Sequence, residues 1–191
     1  MFMKLVQFAQ LINALSFLFF LGYWIINARS VKQTREKVSG IGRYGHYILI
    51  TIAAIVMNVI IYPLAVKLFS FSSYIDILSI IFSILGLIIT IMARRTLAKN
   101  WSSSVTFKKD HELISHGIYK YMRHPIYTGI LLMLIGTILA IETVGAVAGF
   151  IIIFITFWFK LRQEEDLLTK HFSKEYPAYK KRVKALIPFI F

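Results

Sequence analysis

Between His111 and Gly129 the chain reads HELISHGIYKYMRHPIYTG, the densest run of groups able to do chemistry in an otherwise oily sequence. Three of the five histidines fall here, together with Tyr119, Tyr121 and Tyr127, and Arg123 precedes the pair His124-Pro125. A helix can begin with proline, because its missing N–H would have no intrahelical partner there, and an apolar run starts directly after Pro125. His124-Pro125 therefore marks where a polar loop becomes a helix entering a bilayer. Taken singly, Pro125 is a helix-start proline, the tyrosines are interfacial aromatics, and Lys120 and Arg123 are charges that report topology. Their concentration in one stretch is what points to chemistry at a membrane surface.

The elements that must hold this stretch are set by composition. Of 191 residues 58% are hydrophobic and the mean hydropathy is +0.69, with the apolar residues in blocks. Those blocks approach the roughly 20 residues that cross a hydrocarbon core, so a single membrane domain over 1–191 is expected. The formal charge of +13 would suggest nucleic acid in a soluble protein. Here the charges lie between apolar spans, so the reading is no nucleic acid and contact with membrane lipids instead. The absence of cysteine excludes disulfides, thiolate metal sites and cysteine nucleophiles. The first apolar segment lacks a small-residue cleavage site and reads as a retained span rather than a cleaved signal.

Five spans are expected, in an all-α integral membrane fold. The first covers about 5–26, with Tyr23 and Trp24 at its far end. The second covers about 47–69, with Pro63 expected to kink or end it, and the third about 75–93, stopping at Arg94-Arg95. The segment 101–109 alternates weakly and reads as extended or irregular. The fourth span, about 126–141, is only about 24 Å long at 1.5 Å per residue, and the fifth covers about 147–159. Joined by Glu142-Thr143 and Gly145, these two form a short helical hairpin. Beyond Lys160 the tail places Leu167, Leu168, Phe172, Tyr176 and Tyr179 roughly on one face, predicting an amphipathic helix on the membrane surface that Pro177 and Pro188 interrupt. Residues 1–95 form a three-helix scaffold and 96–191 the half that carries the chemistry.

Charge placement orients the spans. With five crossings, all but two of the 22 Lys and Arg residues, Lys4 and Lys67, fall on one side. The positive-inside rule then puts the N-terminus outside and the C-terminus in the cytoplasm, with 111–129 and Glu164 together on the cytoplasmic face.

The pattern G-I-Y-x-x-x-R-H-P-x-Y-x-G at 117–129 is followed by the hairpin, by E-E-x-L-L at 164–168 and by F-x-x-E-Y-x-x-Y at 172–179. In order and spacing this resembles the isoprenylcysteine carboxyl methyltransferase family and its phospholipid methyltransferase relatives, over roughly Asn100 to Pro188. The first half of the chain is similar only in being hydrophobic. The resemblance implies a membrane enzyme that uses S-adenosyl-L-methionine to methylate a lipophilic small molecule or lipidated substrate. It assigns cofactor contacts to His111, Glu112, Leu113, Ile114 and Tyr119, to His124, Pro125, Ile126 and Tyr127, and to Glu164. No Gly-rich turn after a strand is present, so a Rossmann-type cofactor site is excluded.

One position departs from the family. Where the family has an arginine four residues before the glutamate, thought to act on a substrate carboxylate, this chain has Lys160, with Arg162 nearby. Lysine keeps the charge without the bidentate fork, so a lipid hydroxyl or an amine remains open beside a carboxylate as methyl acceptor. A carboxylate acceptor needs mainly alignment with the methyl group. A hydroxyl acceptor needs a base, for which His124 is the candidate, so the catalytic candidates are His124, Lys160 and Arg162. A metal site built on His111, His116 and His124 lacks i, i+4 ligand pairs. The alternative from another class is a non-enzymatic transport or assembly protein, against which stand the few polar residues within the spans and the lack of a repeat.

Overall fold

The computed structural model describes residues 2–28, 33–37, 45–58, 63–68, 72–101, 105–108 and 112–188. Its helices are α1 (Phe2–Asn27), α2 (Gly45–Asn58), α3 (Ser73–Leu97), α4 (Pro125–Ile141), α5 (Val144–His171) and α6 (Glu175–Arg182). Among the described residues, three segments are long and apolar enough to cross a membrane: Leu5–Asn27, Ser73–Asn100 and Val144–His171. The apolar helices Gly45–Asn58 and Pro125–Ile141 are shorter. The chain is an integral membrane protein built on apolar helices.

The backbone of the bundle is the seam between antiparallel α3 and α4. Small residues recur on α3 at Ser79, Ser83, Gly86, Thr90 and Ala93, all buried, facing Gly129, Met133, Gly136 and Ala140 of α4. A Cβ added to Gly129 would lie 2.5 Å from the Gly86 carbonyl oxygen, and one on Gly136 would lie 2.8 Å from that of Ser79. Helices in lipid approach this closely only where side chains are absent, since packing rather than water expulsion holds them together. α1 docks on α3 and α4, and α2 docks on α5. No comparable interface joins α1 to α2 among the described residues.

Four details depart from expectation. Beside the helices of the all-α fold, β1 (Thr34–Lys37) and β2 (Thr106–Lys108) pair as a short antiparallel ribbon. β2 lies within the segment 101–109 expected to be extended or irregular, and its partner strand sits in the connection after α1. The last two apolar helices are not a short hairpin, because α5 continues without a break from Val144 to His171. Hydropathy marks only the part in hydrocarbon. The polar turns beyond Lys160 stay helical because Leu161, Glu165 and Leu167 are buried under the rest of the protein. Finally, Pro177 does not interrupt the tail. It lies in the first turn of α6, where a missing N–H is tolerated. α2 is described to Asn58, and residues 63–68 form a turn and bridge where helix was expected to continue to 69.

The ends of the bundle are segregated. The ribbon β1–β2, the start of α4, the end of α5 and α6 gather at one end, tied by Lys170 Nζ to Glu36 Oε1 and His171 Nε2 to Glu36 Oε2, both at 2.7 Å. The turn at 63–68 and the α4–α5 connection meet at the other, where Leu68 N donates to Glu142 O and Val144 N to Val66 O.

Candidate active site

The site is assembled at the N-terminus of α4. The loop before it is shaped by Gly117, at φ +60°, a left-handed conformation that glycine adopts without a Cβ penalty. The 3₁₀ turn Gly117–Lys120 follows and buries Tyr119. Burial pushes the Tyr119 hydroxyl well above its ordinary range, so this ring is held as a neutral wall. Its carbonyl accepts from Tyr179 Oη of α6.

His124 is the N-cap residue of α4 and Pro125 its first helical residue. They are fixed from outside the helix: Arg123 N donates to Lys184 O and His124 N to Ala185 O, each at 2.9 Å, and Thr128 Oγ1 donates to Leu186 O at 2.8 Å. Residues 184–186 thus run beside 122–124 as a bracing strand. One turn on, Tyr127 Oη donates to Glu164 Oε1 at 2.7 Å, while its ring packs on Phe157 and lies 5.6 Å from Lys160 Nζ.

Two adjacent carboxylates at the end of α5 have different fates. Glu164 keeps 25% of its side chain exposed and faces His124 Nδ1 at 3.7 Å. Glu165 keeps only 4% and binds Arg123 through Nε at 2.9 Å and Nη2 at 2.6 Å, Lys180 Nζ at 2.6 Å and His124 Nε2 at 3.3 Å. A buried carboxylate is tolerable when several cationic or donor groups surround it, and these come from the α4 entry and from α6. Glu164 is therefore available to a ligand, whereas Glu165 is a structural rivet.

A cavity of about 1110 Å³ opens here, lined at this end by Trp101, Tyr119, His124, Tyr127, Lys160 and Glu164. Ligand pockets typically measure about 300–1,000 Å³, so the space accommodates more than one small molecule. Among the expected site residues, Ile126 also reaches the wall, while Pro125 is buried behind it. Glu112, Leu113 and Ile114 lie on the segment leading to Gly117 and not on the cavity wall, and Arg162 turns away to stack over Trp158 at 4.6 Å. His111 lies outside the described residues. The sequence reading missed Glu165, Lys180 and the bracing strand. It also missed Arg94, whose guanidinium spans Asn27 O at 2.7 Å and Ala98 O at 2.6 Å and lies over the Trp101 ring. The E-E doublet and the basic cluster 180–184 were the available signals.

The comparisons with known proteins fit this geometry. The family model of the isoprenylcysteine carboxyl methyltransferase (ICMT) family matches residues 77–170. A probable protein-S-isoprenylcysteine O-methyltransferase from Oryza sativa subsp. indica is 30% identical over 65% of this chain and 65% of its own length. The protein-S-isoprenylcysteine O-methyltransferase of Saccharomyces cerevisiae is 35% identical over 65% of this chain and 54% of its own. A solved structure of the eukaryotic intramembrane Ras methyltransferase ICMT aligns with a TM-score of 0.57 and 27% identity, covering 78% of this chain and 55% of that one. The matched region thus spans less than two thirds of these relatives' lengths. All are methyltransferases by name, which disfavours the non-enzymatic alternative.

Proposed function

We propose, from the match of residues 77–170 to the isoprenylcysteine carboxyl methyltransferase family, that this chain is an S-adenosyl-L-methionine-dependent methyltransferase for a lipophilic carboxylate such as an isoprenylcysteine. The observation that carries the reading is the Tyr127–Glu164 pair at the head of a cavity that continues as an apolar shaft into the bundle. The donor set fits the cofactor. Glu164, held in place by the Tyr127 hydroxyl, offers a partly exposed carboxylate to an α-ammonium. The first-turn N–H groups of α4 suit the cofactor's own carboxylate, and Trp101 and Tyr119 offer aromatic walls to its adenine. When bound, the cofactor supplies an electrophilic methyl group on a sulfonium.

The remaining groups select the acceptor. Lys160 sits on the cavity wall beside Tyr127 and places a cation where an acceptor carboxylate must approach. Arg162, turned onto Trp158, takes no part. His124 turns both ring nitrogens to carboxylate oxygens of Glu164 and Glu165, which commits the imidazole to positioning and not to proton abstraction. With His124 so committed, the site suits an acceptor that is already an anion, and rate then comes from alignment. Residues 96–191 supply the cofactor half, and the first three helices supply walls for the acceptor. The basic end of the bundle faces the cytoplasm, with the N-terminus outside.

Calorimetric titration of S-adenosylhomocysteine into the detergent-purified protein tests the cofactor role. Glu164→Gln is expected to weaken binding at least about tenfold, the loss of one charge-assisted contact, with its melting temperature unchanged. Undiminished binding in the variant, or no binding to the folded wild type, overturns the reading.

A further inference from the structure

The cavity does not end at the cofactor head. A stripe of α4, Ile126, Ile130, Leu134, Thr137 and Ile141, faces it along nearly the whole helix. From Tyr127 to Thr137 the walls are apolar, formed by Phe17, Ile50, Met57, Ile130, Leu134 and Phe157, over a depth of about 15 Å at 1.5 Å per residue. At Thr137 the lining changes character, and the far section presents Gln10, Asn13, Asn58, Lys67, Thr137 and Thr143.

The groups at this boundary are fixed. Thr137 Oγ1 donates to Asn13 Oδ1 at 2.8 Å, and Asn13 Nδ2 donates to Ser83 Oγ at 2.6 Å on the α3–α4 seam. Gln10 Nε2 donates to Ala140 O at 3.1 Å. Each further methylene buried against apolar wall is favourable. A chain pushed past the boundary instead meets amide and hydroxyl groups already tied to one another and to the helices, so each further methylene gains little apolar contact and covers hydrogen-bonding capacity that it cannot satisfy. Gln10 and Asn13 belong to α1, which lies outside the family-matched segment 77–170.

We infer that Asn13 and Thr137, with Gln10, form a polar stop that sets the length of hydrocarbon chain this protein accepts. The inference deepens the methyltransferase reading and rests on it for the identity of the occupant. The chain of the acceptor fills the shaft between α1 and α2 and ends at the Asn13–Thr137 pair. Acceptors with apolar chains up to about 15 Å are favoured, and longer ones discriminated against.

The test uses the full chain in lipid nanodiscs and a series of N-acetyl-S-prenylcysteines with one to four isoprene units. Binding is read from tryptophan fluorescence, since Trp24 and Trp101 line the cavity, and methyl transfer from S-adenosylmethionine is read in parallel. In the wild type, affinity is expected to rise with chain length and then fall once the shaft is full. Thr137→Val and Gln10→Leu are each expected to shift the preference between the longest and the shortest chain about tenfold toward the longest, with S-adenosylhomocysteine binding retained. A length profile unchanged within about twofold in both folded variants overturns the stop, even if methyl transfer proceeds. A break in the binding profile that shifts in the variants, without methylation of any acceptor, upholds the stop and overturns the enzymatic reading instead. No binding by any member overturns the stop.

Discussion

The α3–α4 seam and the space between α1 and α2 are opposite answers to the same problem of placing apolar helices side by side. In the seam, glycine, serine and alanine let two backbones touch, and nothing larger than hydrogen fits at Gly86 or Gly129. Between α1 and α2 the facing residues are large, Phe17 and Phe20 against Tyr47 and Ile50, and they line a cavity instead of meeting. The contrast teaches that rigidity and vacancy are distributed by side-chain size. The seam anchors α4 so that its other face can be left open to a ligand.

The sharpest way to break this comparison is to put the same kind of bulk into both regions. Gly129→Val should destabilise the protein by about 3 kcal/mol, the upper end of overpacking costs, seen as a large drop in thermal midpoint in detergent. Ala54→Leu, on the cavity wall, should leave that midpoint nearly unchanged and raise the acceptor KM. Similar stability losses in both would mean that the α1–α2 space is packed in solution.

Next in size is the doublet Glu164-Glu165. Glu165→Gln removes the partner of Arg123 and Lys180 inside the protein, and breaking a buried pair costs about 3 kcal/mol or more. A lowered thermal midpoint together with weakened S-adenosylhomocysteine binding is expected, in contrast to the purely ligand-binding defect of Glu164→Gln. Equal thermal midpoints for the two variants would erase the distinction drawn between them.

The smallest effect belongs to the surface tie at Glu36. Side-chain hydrogen bonds from Lys170 and His171 hold its carboxyl below the ordinary carboxylate range. A lowered folded-state pKa means that the contribution is present above the usual carboxylate range and is lost as pH falls through the folded value. The protection factors for hydrogen exchange at Thr34–Lys37, taken against the intrinsic rate at each pH, should therefore fall on acidification, and Glu36→Gln should abolish that dependence. Exposed pairs contribute little, so the global thermal midpoint should not move.

What the sequence disclosed follows the same division. That His124, Tyr127 and Glu164 come together was legible because each sits in a short motif whose spacing survives without knowledge of the fold. Glu165 was not, since a glutamate beside basic residues at a membrane edge ordinarily faces water. Its burial depends on α6 and residues 184–186 folding over it, which no local pattern encodes. The end of α5 was misplaced for a related reason: hydropathy falls at Lys160, but helical hydrogen bonding does not. The period of small residues at Ser79, Ser83, Gly86, Thr90 and Ala93 was present in plain view. It reads as a packing face only once α4's own glycines are set against it.

The bracing strand carries a consequence for the order of events during synthesis. Residues 184–186 hold the backbone of Arg123 and His124, yet they emerge from the ribosome long after α4 has entered the bilayer. The head of the cavity is therefore left unfinished until well after α4 and α5 have been made. It is completed only when residues 184–186 fold back onto the start of α4.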